Sequence, residues 1–330
     1  MNPFELVDVG NTGLKVTSLG LGGAPIGNPP PILSDEEAVD TIRRALTLGI
    51  RYVDTAAYGE GRSEVRYGEA LAGLPRDSYV ISTKVGVMLK DDGGEDVNFE
   101  GIDYTNLPKL HSSFDFSRDA ILRAVEASLQ RLRLDHVDML FLHVVPEMHY
   151  QTAIDQGFAA LAELREQGVV KAIGASLTPL HLLLRFVREA DFDCFMLPNR
   201  YTLTEQTAIG EFLPLCQERE ISIIIAAPYN NGRMLGQIAD HVDLPDQSLD
   251  ELAYIGRYQT ICDRYGVPIK AAALQFVIGH PSVASVIPGP VSMAEMTENV
   301  RMMQHAIPPN LWADMIEEGL ILSDCPLPPN

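Results

Sequence analysis

The sequence predicts a (β/α)8 barrel preceded by a β-hairpin, and three observations carry that expectation. First, apolar runs of about four to eight residues alternate with longer amphipathic segments along the chain, the pattern of repeated βα units around a parallel sheet. Eight runs qualify as strands: 17–21, 52–54, 79–83, 137–142, 170–174, 194–197, 222–226 and 283–287. Second, a run such as Ile221-Ser222-Ile223-Ile224-Ile225 is apolar without strict alternation, as strands buried on both faces should be. Third, no Gly-x-Gly-x-x-Gly turn leads the first run into a helix. Gly20-Leu21-Gly22-Gly23 continues into Ala24-Pro25-Ile26-Gly27, which favours a closed barrel over an open dinucleotide-binding sheet. Ahead of it, Gly10-Asn11-Thr12-Gly13 reads as a hairpin turn that could plug the barrel's bottom.

The intervening helices carry start and stop signals. Ser34 with Glu37 three residues on forms a capping box. Val39, Ile42, Ala45 and Leu46 make its apolar stripe, and Gly49 follows its end. Ser117 opens a helix with Ile121, Val125, Leu129 and Leu132 on one face. Thr178-Pro179 reads as an N-cap followed by proline in the first turn, and Gly168 closes the helix before the fifth strand. Residues 86–116 form a long, polar, helix-poor insertion after the third strand, and long loops in compact domains are usually functional. No linker or composition shift divides the chain, so residues 1–330 are expected to form one domain.

Bulk properties narrow the function classes. With 46% hydrophobic and 21% charged residues the chain can bury a large core without disulfides or metal. The net charge of −20 repels phosphate backbones and anionic lipid, so neither nucleic acid nor a membrane is an expected partner. Cys194, Cys216, Cys262 and Cys325 make no close pair, so no zinc site or disulfide framework is suggested. A reducing, cytoplasmic setting is expected. MNPFELVDVG lacks the basic start and apolar stretch of a secretory leader.

In a barrel the chemistry sits at the C-terminal ends of the strands. Reading those ends gives Asp54, Lys84, His143, Ser176, Asn199, Tyr229 and Gly289. Each has an ordinary alternative when taken alone. Asp54 could cap its turn, Tyr58 could pack on the rim, Lys84 could be solvated, and His143 could be a satisfied core histidine. A carboxylate, an ammonium and an imidazole ending successive apolar runs is harder to explain by packing.

These residues carry a resemblance. Val53-Asp54-Thr55-Ala56-Ala57-Tyr58-Gly59 with Ser63-Glu64, then Ser82-Thr83-Lys84, then Leu142-His143, resemble the motif blocks of the aldo-keto reductase superfamily. The similarity runs on through Gly174-Ala175-Ser176 to Val286-Ile287-Pro288-Gly289 and Glu298-Asn299. The resemblance implies a catalytic group of Asp54, Tyr58, Lys84 and His143 and an NAD(P) cofactor across the rim. Ser176 and Asn199 would meet the carboxamide, although Leu177 stands where many members have asparagine. Gly23, Tyr229, Asn230 and Gly232 would line the nicotinamide and pyrophosphate, with Ala227 in the usual position of a stacking tyrosine. Gly289, Glu295, Glu298 and Asn299 would face the adenosine. No Lys or Arg lies between Gly289 and Asn299, and Glu295 stands where an arginine often grips the 2′-phosphate. NAD is therefore the expected cofactor, with NADP the alternative.

Asn199-Arg200-Tyr201-Thr202-Leu203-Thr204-Glu205-Gln206 and Leu213-Pro214-Leu215-Cys216 are similar to the sugar dehydrogenases that oxidise C1 of L-fucose and related D-threo-aldoses, to pyridoxal 4-dehydrogenases and to plant L-galactose dehydrogenases. The resemblance implies oxidation of a cyclic hemiacetal to a lactone, with a small molecule as the partner and homo-oligomerisation left open. The insertion offers Asp91, Asp92, Asn98, Asp103, Tyr104, Asn106 and His111 to a polyol. General carbonyl reduction, a nucleotide-holding regulatory role and a lyase using a Lys84 Schiff base are the competing readings; the last needs a depressed lysine pKa, which Asp54 opposes.

Overall fold

The computed structural model describes residues 1–27, 33–57, 61–90, 111–236 and 248–329. The chain opens with the expected hairpin, β1 (Leu6–Asp8) antiparallel to β2 (Lys15–Thr17). Gly10 and Gly13 take φ of 50° and 73°, a left-handed turn that glycine adopts without strain. Val9, Leu14 and Val16 then pack against Tyr52, Val80, Met139, Cys194 and Ile224. The Gly10 N–H donates to Ser222 Oγ at 2.8 Å, and that hydroxyl donates to the Asp8 carbonyl at 3.2 Å. Ser222 begins a barrel strand, so the hairpin closes the N-terminal mouth.

The remaining strands follow in chain order: β3 (Tyr52–Asp54), β4 (Val80–Val85), β5 (Val87–Lys90), β6 (His111–Phe114), β7 (Met139–Leu142), β8 (Ala172–Ser176), β9 (Cys194–Pro198), β10 (Ser222–Ala226) and β11 (Val283–Ile287). Seven of them form one parallel sheet in the order β11-β10-β9-β8-β7-β4-β3. Residues 18–22 close the ring. Leu19 bridges Val286 on β11, and Leu21 bridges Val53 on β3. The eighth strand expected at 17–21 is thus displaced by one residue, because Thr17 belongs to the hairpin. The insertion begins and ends on a two-stranded antiparallel ribbon, β5 with β6, which the polar composition did not suggest.

The helices are α1 (Asp35–Leu48), α2 (Arg62–Leu71), α3 (Arg118–Leu132), α4 (Tyr150–Thr152), α5 (Ala159–Glu166), α6 (Leu180–Glu189), α7 (Phe212–Glu218), α8 (Leu249–Arg264), α9 (Ile269–Ile278), α10 (Met293–Gln304) and α11 (Pro309–Glu317), with a π-helical stretch, Ala153–Phe158, joining α4 to α5. The Ser34–Glu37 capping box and the left-handed Gly49 at 107° are present on α1, and Ser117 caps α3. Thr178 does not cap α6. The helix begins one residue later, with Pro179 at the cap, and the Thr178 carbonyl instead accepts from Arg200 Nε at 3.1 Å. Among the described residues, no helix is long and apolar enough to cross a membrane.

Strand alternation splits the core in two. Tyr52, Met139, Phe141, Ala172 and Met196 point into the barrel, while Val53, Leu140, Ile173 and Leu197 face the helices. The interior holds two large rings, and glycines opposite make the space. A Cβ on Gly20 would lie 2.9 Å from the Tyr52 ring, and one on Gly174 would lie 2.7 Å from Phe141 and 2.3 Å from the Cys194 carbonyl. Gly174→Ala should therefore destabilise the fold by about 1–3 kcal/mol, the range for overpacking. Urea unfolding checks it; an unchanged midpoint would mean the barrel relaxes freely there.

Candidate active site

The inward positions of consecutive strands converge at the C-terminal mouth. Asp54 ends β3 and lies opposite Ser82 of β4, and Lys84 lies opposite Phe141 of β7. Lys84 Nζ donates to Asp54 Oδ1 at 2.6 Å and Oδ2 at 2.7 Å, and to the Thr55 carbonyl at 3.0 Å. The two side chains are 2% and 5% exposed. Burial raises the Asp54 pKa, while the Lys84 charge and its hydrogen bond, then Ser82, oppose the rise. Burial lowers the Lys84 pKa, and Asp54 opposes that. Neither charge would survive here alone, and together they form a satisfied ion pair.

His143 follows β7, and its backbone N–H donates to the carbonyl of Val85, the last residue of β4, at 2.9 Å. Its ring stands half-buried at the mouth. Nδ1 lies 3.0 Å from the Ser176 carbonyl. A carbonyl only accepts, so Nδ1 carries the proton and Nε2 is the acceptor of the neutral ring. Burial first, and the Lys84 ammonium second, push the His143 pKa down to about 3, against the Ser176 hydrogen bond. The ring is neutral at physiological pH. Ser176 enters the site through its backbone carbonyl, at the end of β8.

Asn199 follows β9 with φ of 54°, a left-handed conformation uncommon for a residue with a side chain. Its Oδ1 is buried and has no hydrogen-bond partner among the described residues. Asn230 repeats the pattern after β10. Its φ is 51°, its Nδ2 donates to Thr204 Oγ1 at 2.5 Å, and its Oδ1 is buried without a partner among the described residues. Buried polar atoms are normally paired, so these two acceptors fit a ligand that brings N–H donors, as a nicotinamide carboxamide does. Tyr229 donates to Asn299 Oδ1 at 2.8 Å, tying the loop after β10 to α10. Gly232, at 86°, begins the short 3-10 turn Arg233–Leu235.

Other expected positions have additional roles. A Cβ on Gly23 would fall 2.0 Å from the Asp54 carbonyl, so glycine is required for the closing segment to pass β3. A Cβ on Gly289 would fall 2.7 Å from Pro25. Glu295 folds back on its own helix: Ser292 Oγ accepts from the Glu295 N–H at 3.2 Å, and Glu295 Oε2 accepts from the Val291 N–H at 3.0 Å. Glu298 Oε2 accepts from Lys270 Nζ of α9 at 2.7 Å. Tyr58 lies outside the described residues, as do Asp91, Asp92, Asn98, Asp103, Tyr104 and Asn106. His111 opens β6.

Sequence reasoning missed Ser82, Tyr52 and Lys270. The first two were legible in principle, since each sits two residues before Lys84 or Asp54 and period-two alternation sends it to the same face. Lys270 is brought to Glu298 by tertiary packing alone. The four cysteines are free and buried, and no cluster of metal-ligating side chains occurs among the described residues.

A parallel barrel with a buried lysine–aspartate pair and a neutral histidine at its C-terminal mouth defines a class of enzyme, and comparison with known proteins identifies it. The profile of the Aldo/keto reductase family matches residues 18–317. The chain is 40% identical to a D-threo-aldose 1-dehydrogenase of Pseudomonas sp over 94% of its own length and 96% of the relative's. It is 35% identical to a pyridoxal 4-dehydrogenase of Microbacterium luteolum, over 95% and 97%. An aldo-keto reductase from Bacillus halodurans, solved in its holo form, shares the fold with a TM-score of 0.74 at 23% identity, covering 96% of each chain. This chain belongs to the aldo/keto reductase family. It is an NAD(P)-dependent oxidoreductase acting on CH–OH groups.

Two outcomes test the site's electrostatics. Asp54→Leu should destabilise the protein by about 3–5 kcal/mol by leaving a buried ammonium uncompensated, and adding Lys84→Met should recover much of that loss. Urea midpoints of the single and double variants decide it; equal losses would mean the pair is not coupled. Long-range imidazole 15N spectra at pH 7 should show His143 neutral and protonated on Nδ1, and a doubly protonated ring would contradict the assignment.

Proposed function

We propose that this protein, as a single barrel domain, oxidises C1 of an aldose hemiacetal of the L-fucose, D-threo-aldose or L-galactose type to a lactone, with Tyr58 as the acid/base. The observation that carries the reading is the buried Lys84–Asp54 pair, 2.6 Å across, at the mouth where His143 also stands. When bound, the nicotinamide dinucleotide supplies the hydride acceptor. Asn199 would orient its carboxamide, with Ser176 and Asn230 beside it.

The protein's own groups handle the proton. A tyrosine hydroxyl titrates near ~10 and is a poor base at neutral pH. A fixed ammonium beside it favours the phenolate. Lys84 would act on Tyr58 in that way, and Asp54 would keep Lys84 charged and aimed. His143 presents Nε2 as an acceptor, so it would take a hydrogen bond from a substrate hydroxyl and fix the sugar for reaction. An acceptor nitrogen suits an alcohol better than a bare carbonyl, which supports oxidation of a polyol. The 40%-identical relative named for D-threo-aldose oxidation supports the same substrate class.

NAD is the cofactor this reading favours. No Lys or Arg lies between Gly289 and Asn299, and two cations packed against this stretch are already engaged, Lys270 by Glu298 and Arg44 by the Thr297 hydroxyl. A 2′-phosphate would meet the carboxylates of Glu295 and Glu298. The expected result is NADH formation at 340 nm with L-fucose, L-galactose or D-arabinose, a higher kcat/KM for NAD than for NADP, and a loss of roughly 10²–10⁴-fold in kcat for Tyr58→Phe. Pyridoxal as the sole substrate of the panel would transfer the assignment to pyridoxal oxidation. Near-wild-type turnover by a folded Tyr58→Phe variant would end the Tyr58 mechanism.

A further inference from the structure

Much of the barrel interior beneath the Lys84–Asp54 pair is apolar. Phe141, Ala172, Cys194, Met196 and Ile224 fill it. Among them Ser82 and Tyr52, both fully buried, form a chain of hydroxyls that ends on Asp54. Ser82 Oγ lies 2.6 Å from Asp54 Oδ1, and Tyr52 Oη lies 3.0 Å from Ser82 Oγ.

The chemistry fixes the direction of both bonds. A carboxylate only accepts, so Ser82 donates to Asp54. Ser82 has one proton, so it must accept from Tyr52, and Tyr52 donates. Three hydrogen bonds from two groups therefore converge on one carboxylate: two from the ammonium of Lys84, one to each oxygen, and one from the hydroxyl of Ser82 to Oδ1, itself polarised by the phenol behind it. Chains of this kind strengthen each bond in a low-dielectric interior.

We propose that Ser82, backed by Tyr52, is a positioning residue that holds Asp54 ionised and turned toward Lys84. It touches neither substrate nor cofactor and acts only through the pair. Hydrogen bonds to the charged form of an acid favour that form, so the hydroxyl chain offsets part of the penalty of burying the carboxylate. Burial and the Asp54 charge keep the Tyr52 phenol protonated far above neutral pH, so the chain's outer donor persists throughout the working range. Among the described residues, the other groups facing the pair are the Tyr67 phenol from α2, which feels the Asp54 charge, the Glu64 carboxylate from α2, which Lys84 feels, the His143 ring after β7, which feels Lys84, and the Cys194 thiol from β9 near Tyr52. None of them donates a hydrogen bond to Asp54 among the bonds described. Packing alone would be served by alanine at 82 and phenylalanine at 52.

This inference rests on the reading that Asp54 and Lys84 support turnover, and the test separates the two. The pH dependence of kcat/KM for aldose oxidation is measured for the wild type and for Ser82→Ala, Tyr52→Phe, the double variant and Asp54→Asn. Ser82→Ala should move the acidic limb about one unit to higher pH, about tenfold less activity at a pH on that limb, with the KM for NAD unchanged. Tyr52→Phe should move it in the same direction by less. The double variant should match Ser82→Ala, because Tyr52 acts only through Ser82. Ser82→Thr, which keeps the hydroxyl, should restore the wild-type limb. A folded Ser82→Ala with the wild-type profile overturns the positioning role if Asp54→Asn is inactive. If Asp54→Asn is itself fully active, the reading of the site falls first. Should Ser82→Ala fail to fold, the Tyr52→Phe profile decides: no shift overturns the proposal.

Discussion

A charged pair placed where water is excluded constrains everything around it. Lys84 and Asp54 sit almost wholly buried at the top of a barrel whose interior is packed largely with rings and aliphatic groups. Taking two ions out of water costs several kcal/mol each, and only close geometry and additional hydrogen bonds offset that. The structure supplies both, through bidentate contact, the Thr55 carbonyl and the Ser82 hydroxyl. Such a pair is poor evidence for stability. It is better understood as a fixed positive charge held at a chosen point, in a dry environment where its field is strong.

The fold exists in a form that can hold that point. Parallel strands of alternating parity place residues 54 and 84 on the same inner face as the rings of Tyr52 and Phe141. Gly20 and Gly174 leave room for those rings, and Gly23 lets the closing segment pass the end of β3. The hairpin shuts the opposite mouth. Among the described residues, the left-handed asparagines and the buried amide oxygens without a partner lie at the C-terminal mouth, and backbone strain of this kind tends to gather where ligands bind.

Much of this was legible in the sequence. The positions of seven strands follow from apolar runs, and the Ser34–Glu37 box and Gly49 mark the first helix where the structure has it. Strand ends were less legible: Lys84 and Ser176 lie inside β4 and β8 rather than beyond them. A run's hydrophobicity fades before its hydrogen-bonded ladder does, because the last inward positions carry the polar groups of the site. The apolar run at 17–21 begins one residue before the segment that closes the barrel, since Thr17 could serve either hairpin or barrel on composition alone. The partners of the charged groups were least legible. Nothing local announces that Lys270 meets Glu298, or that His143 faces a backbone carbonyl of the next strand.

The most direct measurement is the pKa of Tyr58 itself. Tyrosines labelled at Cζ report ionisation by 13C NMR, and Tyr58→Phe assigns the resonance. In the wild type the Tyr58 phenol should titrate below its ordinary value near ~10, and in Lys84→Met it should return to that value or above. A Tyr58 pKa that is ordinary in the wild type and indifferent to the loss of Lys84 would contradict the role given to the buried pair.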